Sequence, residues 1–167
     1  INKGYGGGIE AGLRDALGNY IGWSHADLQT PLIDFYKLYK LIKNKKNVLG
    51  KGVRINNRGY DGIISRLHEK CASIILGFEM KEINAQPKIF RKSFIKKLDN
   101  PPKDFSYDLF FLLRARKEFL SIYEYPIVWN KRYAGQAKGG GSIKLKIKLT
   151  LRTLKFMFKL LKHSKWN

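Results

Sequence analysis

The period of the apolar positions changes repeatedly along the chain, and the changes predict alternating helices and strands. Gly4, Gly6, Gly7 and Gly8 predict a tight loop able to approach a ligand, followed by a short helical pattern from Ile9 to Leu17 that ends at Gly18. Tyr20 to Trp23 predicts a buried strand. Thr30 and Pro31 predict a helix start, cap then first-turn proline, with Leu32, Phe35, Tyr36, Leu38, Tyr39 and Ile42 as its apolar stripe. After a polar turn, Val48 to Val53 predicts another strand. A second helix is expected from about Gly59 to Leu76, carrying Ile63, Ile64, Leu67, Cys71, Ile74 and Ile75 and closed by Gly77. Lys88 to Phe90 predicts a short extended piece, Asn100, Pro101 and Pro102 a break, Tyr107 to Lys117 a helix and Ile122 to Trp129 a strand. The alternation argues an α/β fold. No internal repeat is present.

Beyond a flexible joint at Gly139, Gly140 and Gly141 the pattern shifts, so the expected division is 1–141 and 142–167. Apolar and basic residues alternate from Ile143 to Leu151, which alone would argue a strand. Ile143, Ile147, Leu151, Leu154, Phe158 and Leu161 also fall on one helical stripe, with Lys144, Lys148, Arg152, Lys155, Lys159 and Lys162 grouped beside it. The helical period explains more of the segment. A basic amphipathic helix with Phe156, Phe158 and Trp166 suits a membrane interface.

Composition narrows the classes. With 167 residues, 44% hydrophobic and 13% aromatic, a disordered chain is excluded. The net charge of +20 predicts attraction to polyanions, and no acidic residue follows Glu124. Nucleic acid is one such polyanion, yet the sequence holds no reader motif, and its cations lie in a lysine-and-leucine stripe rather than among stacking platforms. No nucleic-acid partner is expected, and a basic nucleic-acid binding protein stands as an alternative reading. Cys71 is the single cysteine, which excludes a disulfide framework and favours a reducing, cytosol-facing location. No run of eighteen apolar residues and no charged-then-apolar leader occurs, so neither a membrane span nor a secretion signal is expected. His68 and His163 have no ligand-like spacing and read as surface residues.

Three stretches carry the chemistry: NKGYGGGIEAGL at the start, HADLQTP at 25–31 and NKRYAGQAK at 130–138. In that order they resemble the later part of family 2 glycosyltransferases of the GT-A type, the group of dolichyl-phosphate mannose synthases and bacterial polyprenyl-phosphate enzymes. The resemblance implies a Rossmann-like mixed-sheet domain. It also implies metal-assisted transfer, with inversion, of a sugar from a nucleotide-diphosphate sugar to a polyprenyl-phosphate or other lipid-linked acceptor, peripheral at the cytoplasmic face of an anionic membrane. The family's earlier N-E and D-D-x-S segments have no match here. The chain alone is therefore expected to bind nucleotide sugar weakly and to turn over little, and a catalytically silent, interaction-only remnant is an alternative.

Residue by residue, Asp27 matches the last aspartate of the family's D-x-D metal motif, His25 replaces the first, and Gln29 lies two positions on. A divalent cation, Mg2+ or Mn2+, takes oxygen ligands and needs few carboxylates when phosphate oxygens join in; an imidazole suits manganese better. Asp27 before Thr-Pro also reads as a turn carboxylate, and His25 as a structural histidine. Asn2, Gly4 and Gly6 resemble the family's N-x-G-x-G segment beside the donor. Arg54 and Arg58 resemble its basic pair, whose guanidinium forks suit phosphate, although either is readable as surface charge. Gln86 and Lys88, in INAQPKIFRK, match the acceptor side. Asp108, with Asp104 second, matches the acidic position that would serve as general base toward a hydroxyl acceptor; a lipid phosphate would need none. Either aspartate is equally readable as a helix cap. Arg132 and Lys138 match the R-x-x-G-x-S-K segment that closes over the donor, with Ala137 where serine is usual.

Overall fold

The structure, a computed structural model, describes residues 1–56, 59–118, 120–132 and 143–162. Its elements run α1 (Gly4–Asp15), β1 (Tyr20–Trp23), α2 (Leu32–Ile42), β2 (Val48–Arg54), α3 (Tyr60–Leu76), β3 (Lys88–Arg91), a 3-10 segment at Lys92–Lys97, α4 (Tyr107–Lys117), β4 (Ser121–Ile127) and α5 (Ile143–Lys162). Chain contacts define two units, Ile1–Asn56 with Asn84–Tyr133, and Asn57–Ile83 with Ala134–Asn167. The division differs from the expected one at residue 141, because α3 groups with the C-terminal segment.

In the first unit the sheet order is β1-β3-β2-β4. Strand β3 runs antiparallel to β1 and β2, and β4 runs parallel to β2. The carboxyl ends of β1, β2 and β4 therefore share one end of the sheet with the amino end of β3. In α/β sheets that end is where ligands gather. Helix α2 covers one face, where Leu38 and Ile42 pack with Val48 and Ile89. Gly50 permits that approach, since a Cβ there would lie 2.9 Å from two Leu38 carbons. On the other face Phe90, Phe94, Phe111 and Trp23 form an aromatic cluster, with Trp23 edge-on to Phe111 at 4.8 Å. Covered on both sides, β2 is buried through its first five residues, as such a strand must be.

Several expectations are corrected here. Helix α1 starts at Gly4 rather than Ile9, so the glycine run is helical and not a loop. Its first amides find acceptors elsewhere: Gly4 N donates to Asn2 Oδ1 at 2.9 Å, and Gly6 and Gly7 N donate to Lys103 O at 2.9 and 3.3 Å. Satisfying these otherwise unpaired donors offsets the poor helix propensity of glycine. Thr30 is fully buried and makes no cap bond; α2 starts after Pro31 instead. Leu32 and Tyr36 of the expected α2 stripe are exposed, and the buried line is Asp34, Leu38 and Ile42.

In the second unit α3 packs against α5. The inward positions are His68 and Ala72 on α3, and Thr153 and Met157 on α5. His68 is thus buried rather than on the surface, and desolvation lowers its pKa. Small residues such as Ala72 and Thr153 let helices approach closely, which leaves the bulky apolar side chains outside. Ile63, Leu67 and Ile74 of the expected α3 stripe and Ile147, Leu151 and Phe158 of the expected α5 stripe are exposed, while Ile64, Cys71, Ile75 and Leu154 are half-buried. Among the described residues no helix is long and apolar enough to cross a membrane.

Candidate active site

The chain leaves β1 at Trp23 and turns at Asp27, whose Oδ1 accepts a hydrogen bond from Gln29 N at 3.2 Å. Leu28, between them, lies in the left-handed region at φ 58°, an uncommon conformation for a branched side chain. Beyond β4, Arg132 returns to this turn. Its Nη2 pairs with Asp27 Oδ2 at 2.8 Å and approaches Gln29 Oε1 at 3.5 Å. Two further bonds join the segments: Asn130 N donates to Gln29 O at 2.9 Å, and Gln29 Nε2 donates to Asn130 O at 3.1 Å. HADLQTP and the 130–132 segment are therefore in direct contact.

Trp129 anchors the same corner. Asn56, just past β2, accepts from Trp129 N and donates to Trp129 O, both at 2.8 Å, which extends the parallel β2–β4 pairing beyond the strands. The His25 ring meets the Trp129 ring edge-to-face at 4.7 Å, and the Arg54 guanidinium lies 5.3 Å from the centre of the indole. Burial lowers the His25 pKa to about 4, outweighing the upward pull of Asp27 and Asp108. The imidazole is neutral at physiological pH, and its buried Nε2 has no hydrogen-bond partner.

Register places one row of residues across the site end of the sheet: Trp23 opposite Lys88, Lys88 opposite Lys51, and Lys51 opposite Glu124. Two lysines facing across a strand pair repel, and each has its own carboxylate. Lys51 pairs with Glu124 at 3.0 Å. Lys88 is fully buried, pairs with Asp108 of α4 and donates to Ala85 O at 2.8 Å. The other oxygen of Asp108 accepts from the Tyr5 hydroxyl at 2.6 Å, and Gln86 Nε2 donates to the Tyr5 oxygen at 2.8 Å. Desolvation lowers the Lys88 pKa to about 8, although Asp108 opposes it. Burial and then Asp108 raise that of Tyr5, which stays a hydroxyl.

The structure thus brings Asp27, Gln29, Arg132, His25 and Arg54 to one corner, and Gln86, Lys88 and Asp108 to a buried network beside it. Asp104 accepts from Ser106 N at 2.9 Å, at the start of α4. Asn2 is spent on Gly4, and Gly6 is a packing position: a Cβ there would sit 2.3 Å from Pro102 O. Arg58 and Lys138 lie outside the described residues. Tyr5, Asn56 and Trp129 were missed. Tyr5 stood hidden between glycines, and nothing local signals that Asn56 clamps a residue seventy-three positions away.

Among the described residues no group of three or more His, Cys, Asp or Glu could hold a metal ion. The donors at the corner are one carboxylate, the Gln29 amide oxygen and the unpartnered His25 Nε2, a set that fits a divalent cation whose remaining positions are filled by water or phosphate oxygens.

Comparison with known proteins gives the family. The profile of glycosyl transferase family 2 matches residues 1–116, and the chain belongs to that family. Its mixed α/β sheet is that of a GT-A glycosyltransferase domain. A dolichyl-phosphate beta-glucosyltransferase of Trichomonas vaginalis is 27% identical over 166 residues, covering 89% of this chain and 50% of the relative. The chain spans about half the length of the curated relative it matches.

Proposed function

We propose that this chain serves the transfer of a sugar from a nucleotide-diphosphate sugar to a lipid phosphate at a membrane surface. The observation that carries the acceptor class is the state of Asp108. Both its oxygens are engaged, by the Lys88 ammonium and the Tyr5 hydroxyl, and it is 1% exposed. Asp104, half-exposed, accepts through one oxygen from Ser106 N at the start of α4. A hydroxyl acceptor needs a base to take its proton, whereas a phosphate arrives as an anion and needs none. The relative's printed acceptor, dolichyl phosphate, supports the same choice.

In this reading Arg132 and Arg54 grip the donor diphosphate by paired guanidinium bonds. Asp27, Gln29 and His25 would hold a divalent cation, which when bound neutralises the leaving diphosphate. The acceptor phosphate oxygen bonds to the anomeric carbon as the bond to the nucleoside diphosphate breaks, the electron pair leaves with the diphosphate, and the configuration inverts. The outward apolar faces of α3 and α5, flanked on α5 by lysines, hold the unit on an anionic leaflet, at about 1 kcal/mol per cation near the surface.

Titration with a short isoprenyl phosphate and with the isoprenol of the same length tests the acceptor class. Binding of the phosphate, and sugar incorporation into it in preference to the alcohol, is expected. Equal binding of the alcohol overturns the reading.

A further inference from the structure

We propose that Arg132 is a tethered stand-in for the divalent cation, holding Asp27 until a diphosphate draws the guanidinium away. The proposal rests on the reading of this corner as a diphosphate site. A single nitrogen, Arg132 Nη2, lies against both oxygens that would ligate a cation, Asp27 Oδ2 at 2.8 Å and Gln29 Oε1 at 3.5 Å. Its positive charge cancels the one carboxylate of the corner. A cation arriving alone meets a neutralised aspartate and two neutral donors.

The pair is built to open. Its side chains are 31% and 18% exposed, which makes it weak compared with a guanidinium on a doubly charged phosphate. The backbone near Arg132 is held separately, through Asn130 N on Gln29 O, so the side chain can swing without moving the chain. A diphosphate then does two things at once: it takes the arginine and offers oxygens to complete the cation's shell. Cation and diphosphate binding are therefore reciprocally coupled.

Mn2+ titration by electron paramagnetic resonance, with no nucleotide present, tests this on the 167-residue protein. The Arg132→Gln variant should bind Mn2+ at least about tenfold more tightly than the unsubstituted protein, and Asp27→Asn should abolish the gain. Inorganic pyrophosphate should tighten Mn2+ binding by the unsubstituted protein and do so less in Arg132→Gln. Equal or weaker Mn2+ binding by Arg132→Gln overturns the proposal, as does a gain that survives Asp27→Asn, or no Mn2+ binding by any variant. Sugar and lipid are absent from the experiment, so its failure is distinct from failure of the acceptor assignment.

Discussion

Replacing Asp108 by asparagine keeps the shape of the side chain and an acceptor for the Tyr5 hydroxyl, but removes the countercharge of the Lys88 ammonium, which is 0% exposed. Removing one partner of a buried pair costs about 3–5 kcal/mol, a large share of the roughly 5–15 kcal/mol that holds a domain together. The lysine can escape by shedding its proton. From its ordinary pKa that costs about 4–5 kcal/mol at pH 7, which bounds the loss at a similar figure. In the variant, the unfolded chain then binds one more proton than the folded one between pH 7 and about 10, so stability should rise with pH over that range. A second variant, Lys88→Met with Asp108→Asn, removes both charges and should recover most of the loss. Urea unfolding at pH 7 of the original protein, Asp108→Asn, Lys88→Met and the double variant gives the coupling, expected to be about 2 kcal/mol or more. Additivity within about 0.5 kcal/mol, or an Asp108→Asn protein within about 1 kcal/mol of the original, would show that the pair is not the buried anchor described. The reading of the acceptor as already ionised would lose its support with it.

Acidification probes His25. The pKa of His25 is lowered in the folded state to about 4, so its contribution is fully present above pH 6.5 and is lost as pH falls from 6.5 toward 4, by about 3 kcal/mol at most. Thermal melts from pH 7.5 to 4.5 should show that slope, reduced in His25→Asn; an unchanged slope refutes the assignment. Gly6→Ala forces a methyl to 2.3 Å from Pro102 O and should lower stability by about 1–3 kcal/mol in urea unfolding, against a gain of up to about 1 kcal/mol for Gly8→Ala, where a Cβ meets nothing and alanine is the better helix former. On α5, Leu151→Asp changes a side chain that is 59% exposed, so stability should move by only about 0.5 kcal/mol while co-sedimentation with anionic vesicles falls; unchanged sedimentation counts against the membrane face.

Local pattern was enough for β1, β2, α3 and α4, whose bounds agree with the expected ones within a residue or so, because each follows from residues adjacent in the chain: a β-branched or aromatic run, a 3.6-residue period, or Gly77 at the end of a helix. The order of the motifs was enough for the family. Other features depended on partners far along the chain. The glycine run is helical because Lys103 O receives its amides, and Lys88 and Asp108 are buried because antiparallel β3 brings its first residue to the site end, beneath α4. The outward placement of Ile63, Leu67 and Ile74 on α3 and of Ile147, Leu151 and Phe158 on α5 has the same origin. A periodic stripe records that one face of a helix is apolar, but whether that face points inward depends on the element that packs against it, and hydrophobicity carries no direction until that neighbour is in place.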